Sequence, residues 1–299
     1  MISLTLRKIL FIINRKAGTD REKRLEGIIR KYLTPKAFSV EVTHLEYLGH
    51  GTDLAKAAVA NGTDTVVAVG GDGSINEIAQ GLVGTTTALA IIPLGSGNGL
   101  ARALKIPLKV SRALEVIADG KRKAIDVGYA NEHLFLSNAG VGFDALVADQ
   151  FRHKTKRGLW GYAKLVFQSF SSYKGPSYEI NVDGKTMQER AFLLTVANGN
   201  QFGYEFKLAP DANVFDGKLD LCVVPPIKLV GLIPVGFYSL MGNIDKTRYM
   251  QHFTGETIVV KSNDLVHLQV DGDAVPLKEN GKVAFRIHPG ALQVIVNRS

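Results

Sequence analysis

The sequence predicts two domains: an α/β, doubly wound N-terminal domain over residues 1–127 and a mainly antiparallel β-sandwich C-terminal domain over residues 128–299. The extreme C-terminus is left free to return to the first domain. Three observations predict this. Short apolar runs alternate with segments of helical period as far as residue 125 or so. Beyond that point β-rich segments are divided by Gly, Asn and Pro. A chain of 299 residues is also long enough for two cores. The halves differ in class, so no internal repeat is expected.

The elements follow in order. "KILFIIN" is a continuous apolar run suited to a strand buried on both faces. "RKAGTDREKRLEGIIRKYL" places Leu25, Ile28, Ile29, Tyr32 and Leu33 at helical spacing. "FSVEVTHL" alternates as a strand, and "GTDLAKAAVANG" reads as a helix closed by Asn61-Gly62. "DTVVAVG" is a third strand. "INEIAQGLVG" then sets Ile75, Ile78, Ala79 and Leu82 on one helical face. "ALAIIPLG" is a fourth strand, followed by "NGLARALKI" as a helix. In the second half, Asp183-Gly184 marks a hairpin. "GKLDLCVVPP", "ETIVVKSNDLVHLQVDG" and "VAFRIHPGALQVIV" read as β-rich, and "KRGLWGYAKLVFQSFSSYK" as a helix.

Composition narrows the function. Thirty-six basic and 28 acidic side chains leave a net charge of +8, which favours phosphate-bearing partners or an anionic surface. The basic residues are dispersed and no nucleic-acid motif appears, so nucleic acid is not an expected partner. A single cysteine, Cys222, excludes an internal disulfide and a cysteine-based zinc cluster. The histidines, His44, His50 and His252 among them, show no ligand spacing and read as surface residues. "LVGLIPVGFYSLMGNI" is the longest apolar run, but Pro234 and two glycines interrupt it and it is shorter than a membrane span. A cytoplasmic protein is expected.

Three glycine-bearing segments fall at strand ends: "NRKAG" (Asn14 to Gly18), "GGDGS" (Gly70 to Ser74) and "GSGNG" (Gly95 to Gly99). In an open parallel sheet, ligands lie beyond the C-terminal strand ends. A glycine loop leading into a helix offers free amides to a phosphate without a Cβ in the way. One such loop is as well explained by a plain tight turn; three in one sheet point to a phosphate-bearing ligand. Neither the P-loop spacing nor G-x-G-x-x-G is present.

"GGDGSINE" followed by "PLGSGNGLAR" resembles the catalytic domain of the diacylglycerol kinase family, whose usual strings are GGDGT-x-NE and P-x-G-T/S-x-N. "NAGVGFDA", "NGNQFG", "LAPDANVFDGKLD" and "VDGDAVP" look like its later blocks, so the resemblance runs through most of the chain. It implies an ATP-dependent lipid kinase, with nucleotide between the domains and lipid entering the second. By similarity, Asn14, Gly18, Gly71, Asp72, Gly73, Ser74, Asn76, Glu77, Ser96, Gly97 and Asn98 would handle ATP. A carboxylate among phosphate-binding amides needs a cation between, so Asp72 would work with Mg²⁺. The base would be Asp273, where the family has Glu; its carboxylate is shorter by about 1.5 Å, one carbon–carbon bond. Either the loop approaches, or Asp72 or Asp271 carries more of the work. Asn213, Asp216 and Lys218 match a second, structural Mg²⁺ position, and a turn aspartate without metal fits the same residues.

Ser96 and Gly99 resemble the sphingosine and ceramide kinase branch rather than G-T-x-N-D-F-A-R, so the acceptor is diacylglycerol or a sphingoid or ceramide-type lipid. An acidic partner for a sphingoid amine would be sought at Asp144 or Asp211. "FRHKTKRGLWGYAKLVF" joins Arg152, Lys154, Lys156, Arg157 and Lys164 with Trp160, Tyr162 and Phe167. That suits peripheral contact with the inner face of an anionic membrane; a solvated basic loop leading into a core helix is the plainer reading of the same residues. Two other functions stay open, an NAD kinase-like enzyme and a catalytically silent lipid binder. A homodimer is compatible with the sequence.

Overall fold

The structure, a computed structural model, describes residues 6–14, 19–33, 38–152, 170, 173, 175–201, 207–265, 267–277 and 281–298. The chain divides into two units, Met1–Ile125 with Gly290–Ser299, and Asp126–Pro289.

The first unit is a parallel sheet with helices. Its strands are β1 (Arg7–Asn14), β2 (Phe38–Leu45), β3 (Thr65–Gly70) and β4 (Ala88–Pro93), in the order β2-β1-β3-β4. Every residue of β3 and β4 is buried, which explains why both read as unbroken apolar runs. The helices are α1 (Thr19–Tyr32), α2 (His50–Ala60), α3 (Asp72–Gln80), α4 (Gly99–Ala103) and α5 (Val110–Asp119). They bury one stripe each: Leu25 and Ile29 from α1, Ala55 and Ala58 from α2, Ile75, Ile78 and Ala79 from α3. The α1 stripe is narrower than its spacing predicts, because Tyr32 is 40% exposed. A Cβ on Gly81, just past α3, would fall 2.6 Å from Ala55 Cβ and 2.7 Å from the Thr52 carbonyl. Glycine there lets α2 and α3 pack closely.

The second unit is a β-sandwich. One layer runs β12 (Gln251–Gly255), β11 (Leu219–Val224), β10 (Leu193–Ala197), β7 (Asn138–Gly142), β14 (Leu268–Val270), β15 (Asp273–Val275), all antiparallel. The other pairs β8 (Ser177–Val182), β9 (Lys185–Arg190), β13 (Thr257–Lys261) and the first part of β16 (Lys282–Val296), with β5 (Lys121–Ala130) paired to β16 and β6 (His133–Phe135) to β5. The layers share a core in which Leu194, Val196, Leu221 and Val223 meet Tyr178, Ile180, Ile258 and Phe285. On the opposite face of β10 and β11, Ala197, Cys222 and Val224 join a second cluster with Phe143, Val147 and Ile244. That cluster seats α6 (Phe143–Arg152) and the inner side of α7 (Leu232–Met241). The Asp183-Gly184 hairpin forms, with both residues at positive φ as a type I′ turn requires.

Two segments gain detail beyond their sequence reading. "VAFRIHPGALQVIV", read as β-rich, is a single strand, β16: it pairs with β13 before Pro289-Gly290, and Val294 pairs with Leu89 of β4 after them. Proline is tolerated because residues 288–290 are exposed, where its missing N–H has no ladder to break. The interrupted run around Pro234 forms α7, with the proline in its first turn, where the ring costs no hydrogen bond. The helix expected around Trp160 and the basic, aromatic segment lie outside the described residues, apart from the backbone of Phe151 and Arg152 and residues Phe170 and Tyr173. Among the described residues no helix is long and apolar enough to cross a membrane.

Candidate active site

In the first unit, β1 and β3 are neighbours whose onward connections leave in opposite directions along the sheet. Their C-terminal ends, Asn14 and Gly70, therefore sit at the switch point where an open parallel sheet makes a crevice. Asn14 Nδ2 donates to Ser74 Oγ at 2.7 Å, tying the end of β1 to the first turn of α3. No side chain caps α3, so first-turn amides such as those of Gly73 and Ser74 have no intrahelical partner. The helix dipole adds to their attraction for an anion.

The "GGDGS" and "GSGNG" loops meet backbone to backbone. A Cβ on Gly95 would lie 2.5 Å from Gly71 Cα, and one on Gly71 3.1 Å from Gly95 Cα. Asn98 is buried at φ +55° and closes its own loop: its Oδ1 accepts from the Gly95 amide at 2.9 Å and its Nδ2 donates to the Gly95 carbonyl at 2.8 Å. Asp72 joins the loops. Its Oδ2 accepts from the Asn98 amide at 2.8 Å and its Oδ1 from the Gly99 amide at 2.7 Å, so it caps α4. A Cβ on Gly97 would crowd Asp72 Oδ2 at 2.9 Å, so glycine lets the loop close on the carboxylate. Ser96 is exposed at the loop tip.

Two residues of the motif have other work. Glu77 Oε1 accepts from the Gly51 amide at 2.6 Å, and the Glu77 carbonyl accepts from Thr52 Oγ1 at 2.7 Å. That places a negative charge at the start of α2, where it is stabilising. Buried Asn76 accepts from Gln80 Nε2 at 2.9 Å. Gly18 lies outside the described residues.

The second unit carries a polar network in its sandwich. Asp271 and Gly272 form the type I′ turn between β14 and β15, both at positive φ. The Asp271 carboxylate accepts from three consecutive amides, Leu136 at 2.9 Å, Ser137 at 2.8 Å and Asn138 at 3.1 Å. It is a clamp. Gln269 Nε2 donates to Asn138 Oδ1 at 3.0 Å and to Asp144 Oδ2 at 3.2 Å, while its Oε1 accepts from the Gly272 amide at 2.9 Å. Asp144 is buried, and its Oδ1 has no hydrogen-bond partner among the described residues. Burial pushes its carboxyl up to about 7. Asp273 is exposed on β15.

The turn before β11 holds the remaining positions. Asp216 Oδ1 accepts from the Lys218 amide at 3.0 Å, and the Asn213 carbonyl accepts from the Phe215 amide at 2.7 Å and the Asp216 amide at 3.3 Å. Gly217, at φ +71°, donates to Oδ2 of buried Asp126 at 2.7 Å. Burial raises Asp216, with Asp220 and Asp126 adding to the rise. Asp220, also buried, bonds His252 Nε2 at 2.7 Å, which raises the imidazole. His252 is exposed, as expected of a surface residue, and is also paired. Asp126 and Gln269 were not singled out from the sequence. The available signal was a lone carboxylate in the apolar strand "AIDVGYA" and a glutamine in "HLQV".

The residues present fit a nucleotide phosphate. The glycine cradle has the shape a Cβ would fill, and the uncapped start of α3 supplies donors. Mg²⁺ fits as an ion held mainly by phosphate oxygens, with the Asp72 carboxylate fixed between the two glycine loops. Among the described residues, no group of three or more His, Cys, Asp or Glu is arranged to hold a metal. At the 213–218 turn the Asn213 carbonyl already accepts two amides, so that turn fits a second ion poorly.

Comparison with known proteins agrees with this geometry. Residues 8–130 match the diacylglycerol kinase catalytic domain, and residues 137–296 the YegS C-terminal NAD kinase beta sandwich-like domain. The chain is 28% identical over 274 residues to the diacylglycerol kinase of Bacillus subtilis, covering 90% of each. It is 30% identical over 292 residues to a Pseudomonas aeruginosa protein named "Probable lipid kinase YegS-like", covering 96% of this chain and 93% of the other. A solved structure of a diacylglycerol kinase from Bacillus anthracis superposes with a TM-score of 0.74 at 23% identity, covering 98% of each chain, which shows a shared fold.

Proposed function

The chain belongs to the diacylglycerol kinase family of lipid kinases, and on that premise we propose that it transfers the γ-phosphate of ATP to a lipid hydroxyl, that of diacylglycerol or of a sphingoid or ceramide-type lipid. The observation that carries this reading is the backbone contact of Gly71 with Gly95 beside the uncapped start of α3. That is a cradle for phosphate.

Asn14, Gly73, Ser74 and the 96–98 loop would hold the nucleotide phosphates, with Asp72 facing their Mg²⁺. ATP with Mg²⁺ supplies the phosphoryl group and spreads the charge that builds on transfer. The acceptor hydroxyl oxygen bonds to the γ-phosphorus as the β–γ bridging bond breaks to leave ADP. Asp273 takes the hydroxyl proton, the role its position has by similarity. Asp271 is poorly suited to that step, because three amides hold its carboxylate.

The test is a transfer assay with labelled ATP, Mg²⁺ and mixed micelles of diacylglycerol, monoacylglycerol, sphingosine or ceramide, with NAD as a separate acceptor. A labelled lipid that disappears with Asp72→Ala supports the reading and names the acceptor. Label on NAD alone would replace it with an NAD kinase. Lipid binding without any label would leave a silent binder.

A further inference from the structure

The second unit exposes an apolar helix face that neither the sandwich nor the catalytic reading uses. On α7 (Leu232–Met241), Ile233 is 74% exposed, Phe237 58%, Leu240 52% and Met241 60%. Their spacing, i, i+4, i+7 and i+8, puts all four on one face. Val230, in the turn before the helix, extends that face at 73% exposure. The other side of the helix is already occupied: Val235 and Tyr238 pack on the core around Cys222 and Ile244, and Ser239 is buried. An ordinary surface helix turns its polar side outward. This one has no charged residue and turns its largest apolar side chains to solvent. An exposed patch of that kind marks a partner.

The charges around it say which partner. Between residues 225 and 250 the charged side chains are Lys228, Asp245, Lys246 and Arg248, a net of +2 from three bases and one acid. Lys228, Lys246 and Arg248 are all exposed, one before the helix and two after it. A Cβ on Gly242, the C-cap of α7, would meet the Lys207 side chain, so a further basic residue borders that end. A second copy of the chain would bring these bases together against their own kind. An anionic bilayer would receive them among its phosphates while its acyl region receives the apolar face.

We propose that α7 is an interfacial anchor, lying in the plane of an anionic membrane with Ile233, Phe237, Leu240 and Met241 inserted. The choice of a bilayer rests on the lipid-kinase reading, since an acceptor lipid is presented there. The anchor is distinct from the basic, aromatic segment at residues 151–167.

The experiment uses the full chain without ATP, mixed with vesicles of phosphatidylcholine alone or with phosphatidylglycerol, and read by co-sedimentation. Wild type is expected to bind the anionic vesicles. Ile233→Glu with Phe237→Glu should weaken that binding about tenfold or more. Lys246→Glu with Arg248→Glu should abolish the preference for phosphatidylglycerol, and unchanged melting curves confirm both variants as folded. Phosphorylation of a short-chain, water-dispersed diacylglycerol should be unchanged in both. Wild type that fails to bind, or an Ile233/Phe237 variant that binds as wild type does, would overturn the anchor. A dimer in sedimentation velocity that this variant converts to monomer, with vesicle binding intact, would overturn it in favour of a second copy. α7-dependent binding by a chain that phosphorylates no lipid would keep the anchor and remove the kinase reading.

Discussion

In the first unit the candidate site is backbone brought close by glycine; in the second it is side chains holding backbone in place. Gly71 and Gly95 touch through their main chains, and the useful donors are helix amides. Around β7 and β14 the opposite holds, because Asp271 and Gln269 spend their polar atoms fixing four amides, Asn138 and Asp144. The difference separates tasks. A cradle for a transferred phosphate gains from amides that need no reorganisation. A sandwich proposed to take a lipid gains from rigid walls, and buried hydrogen-bonded groups such as Asp271 and Gln269 supply rigidity.

Asp72 is the sharpest place to break that comparison, because it is a side chain doing a backbone-positioning task in the glycine site. If it also faces Mg²⁺, Asp72→Asn should lower kcat by roughly 100- to 1000-fold. Its helix-capping role alone predicts a loss of about 1 kcal/mol in stability with kcat within tenfold of wild type. Steady-state kinetics and a denaturant titration on the same preparation separate the two.

Asp271→Ala tests the other side. Removing the carboxylate leaves the amides of residues 136–138 without their acceptor, and the expected cost is about 3 kcal/mol of stability. Activity of the remaining folded protein should change less. A loss under 1 kcal/mol in urea unfolding would mean water replaces the clamp, and the rigid-wall account would fail.

The same contrast explains what could be read in advance. The parallel sheet was legible because strands buried on both faces are unbroken apolar runs, as in "TVVAVG" and "ALAIIP". The cradle was legible because glycine clusters at strand ends are costly unless used. The roles of Glu77 and Asn98 were not, since nothing in a glutamate's neighbours tells that its partner will be an amide 26 residues earlier. Asp126 and Gln269 were hidden for the same reason: their partners lie 91 and 131 residues away.

Asp144 allows a test by pH. Its buried carboxyl titrates near 7, well above the 3.8 of an exposed aspartate. Between those values the native state keeps a proton that the unfolded chain has lost, so its contribution to stability falls as pH rises through that window. Asp144→Asn should therefore raise stability at pH 8, by roughly 2 kcal/mol once relaxation is allowed for, and change little at pH 4. Thermal melts at both pH values check this. A variant less stable at pH 8 would show the carboxylate to be paired there.

The smallest expected effect is at His252, on β12 at the edge of the same layer. Its hydrogen bond to Asp220 raises the imidazole above its ordinary value near 6.5, and Asp245 and Asp211 add to the rise. The stabilisation from the charged pair is complete below that ordinary value and is lost as pH rises through the native one. His252 is about one-third exposed, so solvent screens the pair, and roughly 1 kcal/mol is at stake. Asp144 produces its own fall with pH, so wild-type melts alone cannot assign the slope. The measurement is the difference between wild type and His252→Gln, which should be near 1 kcal/mol at pH 6 and shrink toward zero at pH 9. A difference that stays constant would make the contact a neutral hydrogen bond. The sandwich would then keep its edge without charge, unlike the glycine loops, which a carboxylate joins.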